Sequence, residues 1–205
     1  MNKTALSYKP VLLLAFILTT NGAAHSQTTF RKTFTGLSIK SVKQTTDGGY
    51  VMGATGGNDI SLIKTDGTGA VMWYRAIGTN TTTTEQIGEV IQTSDGGYAL
   101  TGQVWWANSL SYVYKTDVNG LKVWSRTPQQ LGIGNGNALR QTTDGGYIVA
   151  TSESNGSYPL IAKFSSAGAV TWSGIWYPAM LSGNMKNIIQ TSDGEYLGVG
   201  SEQET

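Results

Sequence analysis

The sequence predicts an all-β protein built as a β-propeller of four-stranded antiparallel blades, with three full repeats and a partial fourth. Three observations carry that prediction. A phrase recurs four times: KQTTDGGYVMG from Lys43, IQTSDGGYALTG from Ile91, RQTTDGGYIVA from Arg140 and IQTSDGEYLGVG from Ile189. Its aspartates, Asp47, Asp95, Asp144 and Asp193, are spaced by 48, 49 and 49 residues. A second phrase follows the first three copies and ends in Trp73, Trp124 and Trp172. No stretch outside the N-terminus sustains a 3.6-residue apolar period with helix caps.

Each unit parses into four short strands. In unit 1 an alternating run from Ile39 to Thr45 forms the first strand. Asp47-Gly48 predicts a type I′ hairpin turn, because that turn needs positive φ at both central positions. The second strand runs from Tyr50 to Thr55, a variable loop leads to the third at Ile60 to Lys64, and a turn closed by Gly69 leads to the fourth at Val71 to Ala76. The fourth copy keeps Asp193-Gly194 but has Glu195 where the others have a second glycine, which centres the turn on Asp-Gly. The recurring tryptophans, Trp73, Trp124 and Trp172, are expected to pack between neighbouring blades. The repeats fall near residues 36–84, 85–134, 135–184 and, in part, 185–205.

The N-terminus reads as an address. Lys3 and Lys9 precede the apolar run Val11 to Leu18, which is too short for a stable membrane anchor. Ala24 and Ser26 then fit a small-x-small cleavage site, so residues 1–26 are expected to be a signal peptide and 27–205 the repeat domain. No cysteine follows the apolar run, which excludes lipid attachment of the bacterial lipoprotein kind. The expected location is secreted, periplasmic or at the cell surface, with no membrane span.

Composition narrows the chemistry. The chain has 14 Lys+Arg against 13 Asp+Glu, no cysteine and one histidine, His25, inside the expected signal peptide. Cys or His nucleophiles, zinc held by thiolate or imidazole, disulfides and thiol redox chemistry are excluded from the mature chain. The balanced charge argues against nucleic acid. No phosphate-cradling glycine loop is present, and no cofactor is expected.

QTxDGGY followed by LIKTDxxGxxxW resembles a large group of secreted bacterial propeller-repeat proteins common in the Bacteroidetes. The resemblance covers about residues 28–205. It implies a propeller fold and export, and many such proteins end in a sorting domain for type IX secretion. It implies nothing about activity. The phrase from third strand to tryptophan is also similar to the docking motif of quinoprotein propellers. The Ser-x-Asp-x-Gly spacing of the sialidase Asp-box is not reproduced at Asp66 or Asp117.

Phe30 to Phe34 matches the fourth-strand phrase, with Phe30 in the tryptophan position, and the sequence stops after the second strand of the fourth unit. This predicts a fragment of a longer array; the competing expectation is a small complete propeller closed by a non-matching strand. Open blade edges predict self-association.

Antiparallel parity puts the repeated tight turns on one side. The variable loops, Gly56–Asp59, Gly78–Gly88, Trp105–Ser111, Pro128–Asn137, Ser152–Tyr158 and Tyr177–Lys186, lie on the other, where function usually sits. Trp105, Trp106, Asn108, Trp176 and Tyr177 are the candidate ligand-binding residues, since a tryptophan beside an amide can stack on a sugar ring; inter-blade packing is the competing role. Asp47, Asp95, Asp144 and Asp193 are expected to be turn residues rather than a catalytic or metal ring. Calcium at Asp66 or at Asp117 and Asn119 lacks enough oxygen ligands, and Ser165 replaces the carboxylate in unit 3, so no metal is expected. Lys64, Lys115 and Lys163 are expected to be solvated or paired with turn oxygens. No catalytic residue is assigned. Asp59, Glu85 and Glu153, with Glu89 at the margin, are the carboxylates that a glycosidase or lyase would use.

Three functions remain open at this point. One is a non-catalytic protein that binds a glycan or surface protein, the second a carbohydrate-active enzyme, and the third a spacer in a longer surface protein. Fold does not choose among them.

Overall fold

The computed structural model of the chain describes residues 30–57, 59–78, 84–105, 109–127, 136–152, 158–175 and 182–203. The expected signal peptide lies outside them. The described residues form β-strands and turns with no helix, and no helix is long and apolar enough to cross a membrane.

There are three four-stranded antiparallel sheets and one two-stranded sheet, each a meander. Unit 1 comprises β1 (Ser38–Gln44), β2 (Tyr50–Gly56), β3 (Asp59–Thr65) and β4 (Val71–Ala76). Unit 2 comprises β5 (Thr84–Gln92), β6 (Tyr98–Trp105), β7 (Ser109–Thr116) and β8 (Lys122–Arg126). Unit 3 comprises β9 (Ala138–Gln141), β10 (Tyr147–Ser152), β11 (Pro159–Phe164) and β12 (Val170–Ile175). Unit 4 is the pair β13 (Ser182–Gln190) and β14 (Tyr196–Gln203).

The expected type I′ turns are corrected. Gly48 N–H donates to the Thr45 carbonyl at 2.9 Å, and Thr45 N–H donates to the Gly49 carbonyl at 2.9 Å. The loop is therefore three residues, Thr46-Asp47-Gly48, with left-handed backbone at Gly48 (φ 80°). This is a type I turn closed by a glycine bulge, and it asks for one left-handed residue instead of two. Gly96, Gly145 and Gly194 repeat it. The turns from Asp66, Asp117 and Ser165 have the same pattern around Gly69, Gly120 and Gly168. The two repeated phrases thus encode one turn, with the polar residue at its third position in the first phrase and at its first position in the second.

The variable connections are also shorter than expected on their C-terminal side. Residues 84–88 and 182–186 belong to β5 and β13, which run nine residues each. Each is carried past a break in register, at Ile87/Glu89 and Met185/Asn187, and β1 has the same break at Ile39/Ser41. An extra residue hides the alternation that marks a strand. Further breaks lie where β3, β7 and β11 meet the strand bearing the tryptophan.

The core lies between units. Val51, Ile60 and Leu62 of unit 1 pack with Val90, Tyr98, Leu100, Tyr112 and Tyr114 of unit 2. Ile91, Ala99 and Val113 meet Leu139, Tyr147, Ala162 and Phe164. Ala138, Ile148 and Ala150 meet Ile188. Each fully buried aliphatic here contributes roughly 1.5–3 kcal/mol relative to exposure. At the rim of each interface an aromatic ring of one unit meets the tyrosine that follows the next unit's turn. Trp73 lies 5.6 Å from Tyr98, Trp124 5.6 Å from Tyr147 and Trp172 5.7 Å from Tyr196. Phe30 does the same for Tyr50 at 5.8 Å.

Candidate functional site

On the side of the tight turns, the recurring aspartates are consumed by structure. Lys64, Lys115 and Lys163 point inward from the third strand of their units and are almost wholly buried. Their ammonium groups pair with Asp47, Asp95 and Asp144 at 2.8, 2.8 and 2.7 Å. Each also donates to the carbonyl of the next residue, at 2.8, 2.7 and 3.2 Å. A buried ammonium is costly unless its protons are matched, and this turn matches them. The same carboxylates accept from the hydroxyl of Thr45, Thr93 or Thr142 and from the second glycine's N–H.

These donors hold the Asp47 and Asp144 carboxyls well below the usual range, the lysine hydrogen bond being the largest cause. At Asp95, burial pushes the other way and is outweighed by Lys115, Thr93 and Gly97, leaving the group at about 2. Asp193 is lowered too, by Thr191 and backbone N–H groups, with no lysine.

In the second set of turns, Asp66 accepts from the N–H groups of Thr68 and Ala70 and from the Thr68 hydroxyl. Asp117 accepts from the N–H groups of Asn119 and Leu121. Ser165 Oγ takes one such N–H, from Ala169, at 3.1 Å. A hydroxyl can therefore replace the carboxylate here, a role that calls for no cation.

Of the sequence candidates for binding, Trp105 lies on the opposite side. Trp105 ends β6 and is half exposed. It pairs across the sheet with Thr84 and Ser109. Trp106, Asn108, Trp176, Tyr177 and Glu153 lie outside the described residues. Asp59 and Glu85 come together at the junction of units 1 and 2: Asp59 Oδ1 and Glu85 Oε2 lie 2.6 and 2.9 Å from where a Cβ on Gly78 would stand. Glu85 is 5% exposed. Its charge and, above all, burial raise the phenol of Tyr112 well above its ordinary value and that of Tyr114 more modestly. Strand order hid this pairing, because Asp59 follows a second strand and Glu85 opens the next unit.

Glu89, expected at the margin, is held by ion pairs from two other units. It receives Lys43 of unit 1 at 3.0 Å and Arg140 of unit 3 at 2.7 Å, and Arg140 also donates to Asn187 of unit 4 at 2.6 Å. Glu89, Arg140, Lys186 and Ser41 border a recess of about 210 Å³ beside the first strands. The ladder ties four units together and engages both oxygens of Glu89. A second residue type that sequence reasoning missed is the glutamine of the repeated phrase. Gln92, Gln141 and Gln190 each accept the N–H of Thr46, Ser94 or Thr143 in the preceding unit's turn, at 2.8, 2.7 and 2.9 Å. Its presence in all four copies was the available signal. A larger groove of about 420 Å³ lies between units 3 and 4, lined among others by Pro159, Ile161, Met185, Tyr196 and Gly198.

No protein-family model and no curated protein matches the sequence. Among solved structures, a protein of unknown function from Bacteroides caccae is similar, with a TM-score of 0.51 and 13% identity over 82% of this chain. The match spans 57% of that chain's length. At that identity the likeness is one of fold alone, and the fold shared is an all-β one.

Proposed function

We propose that this chain is an exported, non-catalytic β-propeller repeat protein that binds a glycan or a surface protein through its variable-loop side. One observation carries the reading: the two sides are used differently. The tight turns spend their recurring carboxylates and lysines on one another and on the backbone. The other side varies in length and sequence from unit to unit and presents Trp105 half exposed. An indole held by a strand end is a rigid surface for stacking. The four-stranded meanders that pack face to face support the propeller, and the resemblance to secreted bacterial repeats supports export.

The closeness of Asp59 and Glu85 favours a second reading, a glycoside hydrolase, since such enzymes work with two neighbouring carboxyl groups. Burial of Glu85 beneath the surface weighs against it. One experiment separates the two. The purified chain is applied to glycan and matrix-protein panels, and bound polysaccharides are assayed for new reducing ends. Saturable binding that falls at least about tenfold in Trp105→Ala, with no reducing ends formed, is the expected result. Reducing ends that vanish in Glu85→Gln would favour the hydrolase, and no saturable binding on any panel would sink the binding reading.

A further inference from the structure

The three interfaces inside the chain repeat one set of contacts, and the apolar and glutamine contacts each leave an unmatched half in unit 1 and another in unit 4. Five residues before the turn aspartate stand Val90, Leu139 and Ile188, buried against the preceding unit. Their counterpart in unit 1 is Val42, 56% exposed. Four residues after the aspartate stand Val51, Ala99 and Ile148, buried against the following unit. Their counterpart in unit 4 is Leu197, 55% exposed. The glutamine contact divides the same way. Among the described residues, Gln44 of unit 1 has no turn N–H to accept, and Ser192 N–H in the unit 4 turn has no glutamine to donate to.

We propose that copies of this chain associate head to tail, the outer face of unit 4 in one copy docking on the outer face of unit 1 in the next. Leu197 then joins Val42 in one apolar core, and Ser192 N–H meets the Gln44 amide oxygen, as Val51 and Val90 share a core and Thr46 meets Gln92 within the chain. The aromatic contact is already in place. The described part of unit 4 has no fourth strand to bring a tryptophan, and Phe30 stands over Tyr50 in that role. A second copy is the fitting occupant because the chain itself shows which face matches which. Val42 and Leu197 are both open to solvent, so the two halves do not meet within one molecule. An interface between unlike surfaces extends into chains or rings rather than stopping at a two-fold dimer. The proposal is independent of what the variable loops bind.

Sedimentation velocity of the purified chain tests it. The expected mass rises above the 21.8 kDa of one chain as concentration approaches about 100 µM, the range of a weak contact. Val42→Glu and Leu197→Glu each remove this association. Both sites are exposed, and an unchanged thermal melt shows that each variant still folds. Mixed together, the two variants form a discrete species of two copies, because each keeps the half that the other has lost. A wild-type chain that stays monomeric overturns the proposal. So does association that survives either variant, or a mixture of the two that remains monomeric; survival would point instead to pairing between β14 edges.

Discussion

At the residue scale, the second glycine of the turn phrase shows how one position reports on a neighbouring strand. A Cβ at Gly49, Gly97 or Gly146 would meet the lysine ammonium and the carbonyl that follows it on the third strand. Unit 4 has no such strand among the described residues, and there the position is Glu195. Gly97→Ala is therefore expected to cost roughly 1–3 kcal/mol by overpacking. Glu195→Gly should change stability by no more than about 0.5 kcal/mol, as at an ordinary surface site. Denaturant unfolding of the two variants checks the contrast, and equal losses would show that the third strand does not set the glycine. The glycine, the aspartate and the tryptophan were visible in the sequence because they recur. Pairing of Lys64 with turn oxygens was one of two expectations; its burial under Asp47 was not legible, because the third strand and the turn 17 residues before it become neighbours only in the folded sheet.

At the scale of the element, strand identity was legible and strand length was not. Val71–Ala76 was placed to the residue, since its flanking glycine and apolar pattern leave no choice. The first strands were cut short at Gly88 and Lys186, where an extra residue breaks the period-two pattern. The same device serves packing. The register break before Trp73, Trp124 and Trp172 turns a strand that is exposed along much of its length so that one large ring reaches the next unit. The Asp59–Glu85 pair and the Lys43–Glu89–Arg140 ladder escaped sequence reading for a related reason. They join elements of different units, and alternation along a strand says nothing about which faces of two sheets meet.

For the whole molecule, the turn ion pairs set the response to acid. A carboxyl depressed in the folded state favours folding where it is ionised. Asp47, Asp95 and Asp144 thus add stability that is fully present above the ordinary carboxyl range near pH 4 and is lost as pH falls toward about 2, where Asp95 titrates. No histidine lies among the described residues, so nothing of that kind titrates near neutrality. Stability measured by denaturant should be level from about pH 5.5 to 8 and fall steeply between about pH 4 and 2. A steep change near pH 6.5 would contradict this account. Because the aspartates are more than half exposed, salt should soften the acid limb, and comparison at low and high ionic strength would show it.

The glutamines that reach into the preceding turn also make each junction between units separately observable. The amide protons of Thr46, Ser94 and Thr143 sit in exposed loops, where solvent deuterium would otherwise replace them quickly, and each is held by a side chain from the next unit. Their exchange rates would time the parting of unit 1 from 2, 2 from 3 and 3 from 4, with Ser192 as the fast internal reference at dilutions where copies stay apart. The order in which the junctions loosen could then be obtained from one unmutated sample.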